Sequence, residues 1–199
     1  MLYRDALVMY DRETGTLWSQ VDGQALRGPL LGETLQPVAS VHATWKEWMG
    51  LYPEGLVLKK EGANRSSYEE YNRDRSRLGI FGRRLNGSAL PPKERILGVR
   101  VGGAATAFVL ADVRRLGIVE TEVGGVPVIL AAIGADFPVV AFERRVRDRV
   151  LTFTRADSLD PAPPALEDAE TQTRWQVSDG VAIDGPLRGQ RLTRVVAHP

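Results

Sequence analysis

Apolar positions along the chain recur mainly with period two and are interrupted by glycine pairs and Asp-Gly steps, which predicts strands and tight turns. Residues 6–10 alternate as a first strand. Residues 96–101 and 104–109 flank Gly102-Gly103, and residues 118–123 and 126–133 flank Gly124-Gly125, so each pair predicts a β-hairpin. Residues 139–144 and 150–154 predict a third, and residues 55–60 read as a further strand. Helical signals are few. Thr44 is placed to N-cap a short helix, with Glu47 as its capping-box partner and Gly50 and Pro53 as its stop. A second short helix is expected over 109–116, closed by Gly117. Residues 61–77 are polar and read as a loop or surface segment anchored by Tyr68 and Tyr71, and residues 78–95 read as irregular. The Pro-rich, acidic stretch 155–167 predicts an exposed linker. The expectation is a mainly β protein, with antiparallel hairpins in a closed or sandwiched sheet and two short helices, built as one domain over 1–199.

Beneath this pattern lies a repeat. Residues 11–38 align without gaps on residues 168–195, with 14 identities in 28 positions, where chance would give about two. Asp11, Glu13, Thr14, Thr16, Trp18, Asp22-Gly23, Ala25, Gly28-Pro29-Leu30, Gly32, Leu35 and Val38 all recur 157 residues later. Each copy reads as a small β-meander: a strand through the Trp, an Asp-Gly turn, a short strand through the Ala, a Gly-Pro-Leu-x-Gly turn, and a last short strand over 35–38 or its counterpart. Trp18 and Trp175 are expected to anchor cores rather than to serve as ligand platforms. The reading is an internal duplication.

Composition narrows the function classes. With 43% hydrophobic and 26% charged residues the chain is ordinary for a folded protein. Its 26 basic and 25 acidic side chains leave a net charge of +1, so no whole-protein field draws nucleic acid or an anionic membrane. Zero cysteines exclude disulfides, thiolate metal sites and a cysteine nucleophile. No apolar run reaches the length of a membrane span, and the start lacks a signal peptide's features, so the chain as written is expected in the cytoplasm.

Several blocks carry a resemblance: 7–20, Gly28-Pro29-Leu30, Thr44-Trp45-x-x-Trp48, 92–99, Ala105-Thr-Ala-Phe108 and Val123-Gly-Gly-Val-Pro-Val128. Together they resemble, over nearly the whole chain, the prokaryotic family called domain of unknown function 3179. That resemblance implies little about activity. Family members often carry export signals, and their pattern places Cys-Pro-Leu-Cys after the Gly-Gly-x-Pro-Val strand. Here that place reads Ile133-Gly134-Ala135-Asp136, so a metal or redox role resting on those thiols does not carry over.

Candidate chemistry is sparse. His42 and His198 each follow a repeat copy, and with Asp22 or Asp179 they would make a hydrolytic metal site, but their spacing is no ligand motif and exposed or capping histidines fit as well. Asp11, Glu13, Asp168 and Glu170 form two acidic pairs that could do acid–base work, or could bond backbone N–H groups at turns. Residues 65–100 hold nine Lys or Arg against four acids, with Tyr68 and Tyr71 among them, a weak signal for single-stranded nucleic acid and an ordinary one for a solvated surface. Arg144 to Arg149 reads as a charged hairpin loop. Phosphate loop, dinucleotide fingerprint, nucleophile elbow and zincin motif are all missing from the sequence. The leading expectation is a non-catalytic binding or interaction module for a protein or small-molecule ligand, without cofactor or metal. The alternative is a hydrolase using Asp or Glu with a histidine where the two copies meet; third is a weak nucleic-acid binder through 65–100.

Overall fold

The structure is a computed structural model, and it describes residues 2–3, 6–58, 68–76, 78–79, 89–133, 138–156 and 164–198. In chain order the strands and helices are β1 (Leu2–Tyr3), β2 (Ala6–Tyr10), β3 (Leu17–Ser19), β4 (Ala25–Arg27), α1 (Trp45–Leu51), α2 (Glu69–Arg73), β5 (Ile96–Val101), β6 (Ala104–Val109) and α3 (Leu110–Leu116). They continue with β7 (Ile118–Val123), β8 (Val126–Ala131), β9 (Val140–Glu143), β10 (Arg145–Val146), β11 (Arg149–Val150), β12 (Phe153–Arg155), β13 (Ala165–Asp168), β14 (Arg174–Gln176), β15 (Ala182–Asp184) and β16 (Val196–His198). The chain is mainly β, every paired strand is antiparallel, and no described sheet closes into a barrel. Contacts divide it into two compact units, Met1–Val38 with Glu61–Glu94, and Ala39–Lys60 with Arg95–Pro199.

The first unit is organised by the meander β1-β2-β3-β4. Met9 pairs with Trp18, and Trp18 with Ala25, so the three share a face on which Trp18 and Ala25 are buried. Residues 35–38 join no sheet; among the described residues the meander ends in an isolated bridge from Gln24 to Thr34. Helix α2 lies in the segment read as a loop. It has no buried residue to give it an apolar period, and a Glu69–Arg73 pair one turn apart supports it.

The second unit is layered around β8. This strand lies between β7 and β9, and its run Val-Pro-Val-Ile-Leu-Ala is buried on both faces. Ile129 and Ala131 enter one core with Phe142, Leu151, Phe153, Leu166, Trp175 and Leu192. Val128 and Leu130 enter another with Leu97, Val99, Val113, Val139 and Val195. The first core is closed by the four-stranded sheet β12-β13-β14-β15, the second by β16-β5-β6 and α3. At one end the two Gly-Gly turns press together. A Cβ on Gly102 would come within 2.8 Å of the Gly124 carbonyl oxygen, and one on Gly124 within 2.8 Å of the Val101 oxygen.

Three expectations are corrected. The third hairpin does not form: β9 pairs with β8, the short β10–β11 ladder stands alone, and β12 pairs with β13 far along the chain. Residues 55–58 belong to no strand, and 59–60 lie outside the described residues. The expected linker is shorter than 155–167, since Arg155 ends β12 and the buried Ala165 and Leu166 begin β13, while its middle, 157–163, lies outside the described residues.

The meander in the second unit, β13-β14-β15, repeats nearly all of the backbone bonding of β2-β3-β4. Asp168 N–H donates to the Thr173 carbonyl at 3.1 Å, as Asp11 N–H does to Thr16. Gly180 and Gly23 N–H close the same turn, and Leu192 and Leu35 N–H donate back to those glycines. Close approach explains Gly28 and Gly185: a Cβ on either would sit 2.7 Å from the Cα of Thr16 or Thr173, and both have positive φ. Gly185→Ala should therefore destabilise by about 2 kcal/mol or more. Trp175→Ala, which empties a fully buried site edge-on to Phe153, should cost about 3 to 5 kcal/mol. Chemical denaturation of both variants checks these values; a midpoint shift within error for Trp175→Ala would refute its packing role.

Candidate functional site

The repeated residues converge on one hydrogen-bonded quartet in each unit. In the second, the Thr171 N–H and hydroxyl donate to Asp168 Oδ1 at 2.6 and 2.7 Å, and Trp175 Nε1 donates to Asp168 Oδ2 at 2.8 Å. Thr171 and Thr173 share a hydroxyl bond of 2.7 Å, and the Leu187 N–H donates to Thr173 Oγ1 at 3.1 Å. Asp11, Thr14, Thr16, Trp18 and Leu30 make the same bonds in the first unit. Local spacing dictates this. An aspartate turning back on the N–H three residues later leaves its second oxygen over the strand, where the indole seven residues on lies on the same face.

In the first unit the Thr14 N–H and the Trp18 indole N–H lower the Asp11 carboxyl from the usual 3.8 to about 2, against a smaller upward push from burial. The other acidic candidates do different work. Glu13 is exposed. Glu170 accepts the Thr152 N–H at 2.8 Å. Asp22 and Asp179 accept N–H groups two residues on, from Gln24 and Val181, as turn residues do. His42 is exposed, and His198 places its backbone in β16 opposite Gly98. Among the described residues no group of three or more His, Asp or Glu is placed to hold a metal ion. Of residues 133–136, Ile133 is buried in the first core and Gly134 to Asp136 lie outside the described residues. In the basic stretch, Lys93 Nζ sits 3.6 Å over the Tyr71 ring and donates to the Tyr71 and Asp74 carbonyls, while Tyr68 is exposed. Much of 65–100 lies outside the described residues.

Two ion pairs were not visible in the sequence. Glu47 is buried and accepts the Thr44 N–H at 2.6 Å and the Arg114 guanidinium at 2.8 Å. Burial pushes its carboxyl up, but the Thr44 N–H and Arg114 outweigh that and leave it below the usual range. Glu120 accepts Arg144 Nη1 at 3.0 Å and the Phe153 N–H at 2.6 Å, and Arg144 also donates to the Leu151 carbonyl at 2.8 Å. This cross-tie fixes both ends of the segment bearing β10 and β11. Alternation along β7 turns Glu120 inward, but nothing local marks Arg144 as its partner.

Beside that segment lies a cleft of about 310 Å³, lined by Val146, Arg147, Asp148, Arg149, Leu151, Thr171, Pro186 and Leu187. Its apolar lining comes from the buried Val146 and Leu151, the half-buried Leu187 and the exposed Pro186. Its mouth carries Arg147, Asp148 and Arg149 at the tip of the β10–β11 ladder, all exposed. Arg147 has φ 54, a left-handed conformation that costs a non-glycine residue about 1 kcal/mol. Thr171 reaches the cleft from the quartet, so the repeated Asp–Thr–Trp bonding also positions one of its walls.

A mainly antiparallel β protein of two compact units is the class that the fold and these contacts define. The chain belongs to the family described as Protein of unknown function (DUF3179), whose model matches residues 1–199. No curated protein and no solved structure matches it. Among the described residues no helix is long and apolar enough to cross a membrane.

Two measurements test the site's electrostatics. Because Asp11 titrates lower folded than unfolded, its contribution is present above about pH 4 and is lost as pH falls toward about 2. An NMR carboxyl titration should place Asp11 near 2, and Asp11→Asn should remove that part of the acid sensitivity; a midpoint near 3.8 would be the contrary result. Glu120→Gln, which leaves Arg144 without its counter-charge, should cost about 2 kcal/mol or more by thermal unfolding.

Proposed function

We propose that this protein is a non-catalytic binding module whose seat is the cleft beside β10 and β11. The ligand class it fits presents an anionic group to Arg147 and Arg149 and a small apolar part to Val146, Leu151, Pro186 and Leu187. The observation that carries this reading is Arg147 itself. A hairpin tip with positive φ is best served by glycine or asparagine, yet a long cation stands there, at the mouth of an apolar cleft. A guanidinium offers a planar fork suited to carboxylate or phosphate oxygens.

The hydrolase reading has less support. Its most buried acid, Asp168, already accepts bonds on both oxygens, and its partners are hydroxyl and indole groups rather than a histidine. The repeated carboxylates Asp11 and Asp168 are already engaged in the turn and indole bonding of their own meanders. The nucleic-acid reading gains nothing from Lys93, which is turned onto Tyr71 and two carbonyls.

A defined panel tests the binding reading: N-acetylated Leu and Val peptides with a free terminal carboxylate, against the same peptides as amides. Binding is followed by amide NMR shifts of Thr171, Leu187 and Arg149. The carboxylates should bind at least roughly ten-fold more tightly than the amides, weaken with salt, and lose that advantage in Arg147→Gly with Arg149→Gln. Equal binding of acid and amide, or no shift in the cleft at millimolar peptide, would reject it.

A further inference from the structure

The two meanders share their bonding but not their burial. In the second unit Leu166, Leu192 and Val195 are 0%, 1% and 4% exposed; at the matched positions of the first, Met9, Leu35 and Val38 are 41%, 45% and 80% exposed. What covers the second meander is a β-strand and the sheet behind it. Its tail is bonded to β9, with Glu143 N–H donating to the Thr193 carbonyl at 2.8 Å and Val195 N–H to the Ala141 carbonyl at 3.0 Å. The first meander's tail, residues 36–38, belongs to no sheet. It retains the groups needed for the same pairing. Pro37 stands where Arg194 does, at the one position whose N–H the two bonds to β9 do not use, so the Gln36 carbonyl and Val38 N–H match the groups that bind β9.

The chain also carries an exposed apolar run, residues 56–58, that forms no strand of its own. Leu56, Val57 and Leu58 are strand-forming residues, all exposed, Leu56 completely, and residues 55–58 join no ladder. β9 offers Val-Ala-Phe-Glu to the second meander; residues 55–58 offer Gly-Leu-Val-Leu. Among the described residues β9 itself is committed, with Phe142 fully buried against the second meander's core.

We propose that residues 55–58 of one copy of this chain add as an antiparallel strand to residues 36–38 of a second copy, in a reciprocal two-fold dimer. The added strand makes the two backbone bonds that β9 makes in the second unit, and its leucines cover Val38, Leu35 and Met9. Strand addition to an exposed edge takes its affinity from backbone bonds and its selectivity from alternate side chains. In a two-fold exchange each donor and each acceptor is used once, so both pairings are filled in one dimer.

The absence of cysteine makes the test clean. Two full-length single-cysteine chains of different tag length, Pro37→Cys and Val57→Cys, are mixed and oxidised, and a third chain carries both substitutions. The unmodified protein should be a dimer by light scattering at micromolar concentration, and the mixed 37–57 disulfide should exceed both like-with-like products. Leu56→Asp with Leu58→Asp, and separately Val38→Asp, should each weaken the dimer roughly 100-fold while leaving far-UV circular dichroism unchanged. Val150→Asp, at an exposed valine outside both segments, should leave dimerisation unchanged. A monomer at all concentrations would overturn the proposal. So would a dimer linked mainly 37 to 37, or a doubly substituted chain that forms only an internal disulfide.

Discussion

A carboxylate without access to water must find all its hydrogen bonds inside the protein, and Asp168 is such a group. Its oxygens are met by the Thr171 N–H and hydroxyl and by the Trp175 indole, so the acid, the turn after it and the aromatic of the next strand are set by one constraint. Removing any member strands another in a low-dielectric interior, where an unmet polar atom costs more than the bond contributed. The quartet therefore fixes the turn leading into β14 and the height at which Trp175 enters the core. From there the placement of Phe153, and with it the β12 edge, follows.

Above that core, β8 acts as a shared wall. Because it is buried on both faces, side chains of opposite parity belong to different cores, and no register slip of one residue is tolerated on either side. The Glu120–Arg144 cross-tie works against the same sheet from its edge. It joins β7 to the start of β12 and holds the intervening segment, so the Arg147 turn projects from a fixed base.

Much of this was legible in the sequence where the determinants are local. The hairpins around Gly102-Gly103 and Gly124-Gly125 follow from turn chemistry and period, as does the Thr44–Glu47 capping box. What failed depends on partners distant along the chain. Residues 139–144 and 150–154 look like neighbouring strands, but Phe153 pairs with Asp168 and Phe142 with Ile129, and alternation names a face without naming a partner. Residues 55–58 have strand-forming side chains and no ladder within the described residues. The cleft was illegible for the same reason: Arg147, Thr171 and Leu187 meet only in the folded unit, and an alternating charged hairpin tip reads as solvated surface.

The nested glycine turns at 102 and 124 bear on how this chain can change length. Hairpin tips are usually where insertions, tags and permuted ends are accepted, because they point into solvent. Here each tip is the other's packing surface, with room for no side chain at Gly102 or Gly124. The loops that elsewhere absorb evolutionary drift are held at two residues in both hairpins. The β10–β11 tip has no such restraint from a facing glycine turn, and its residues Arg147, Asp148 and Arg149 are exposed.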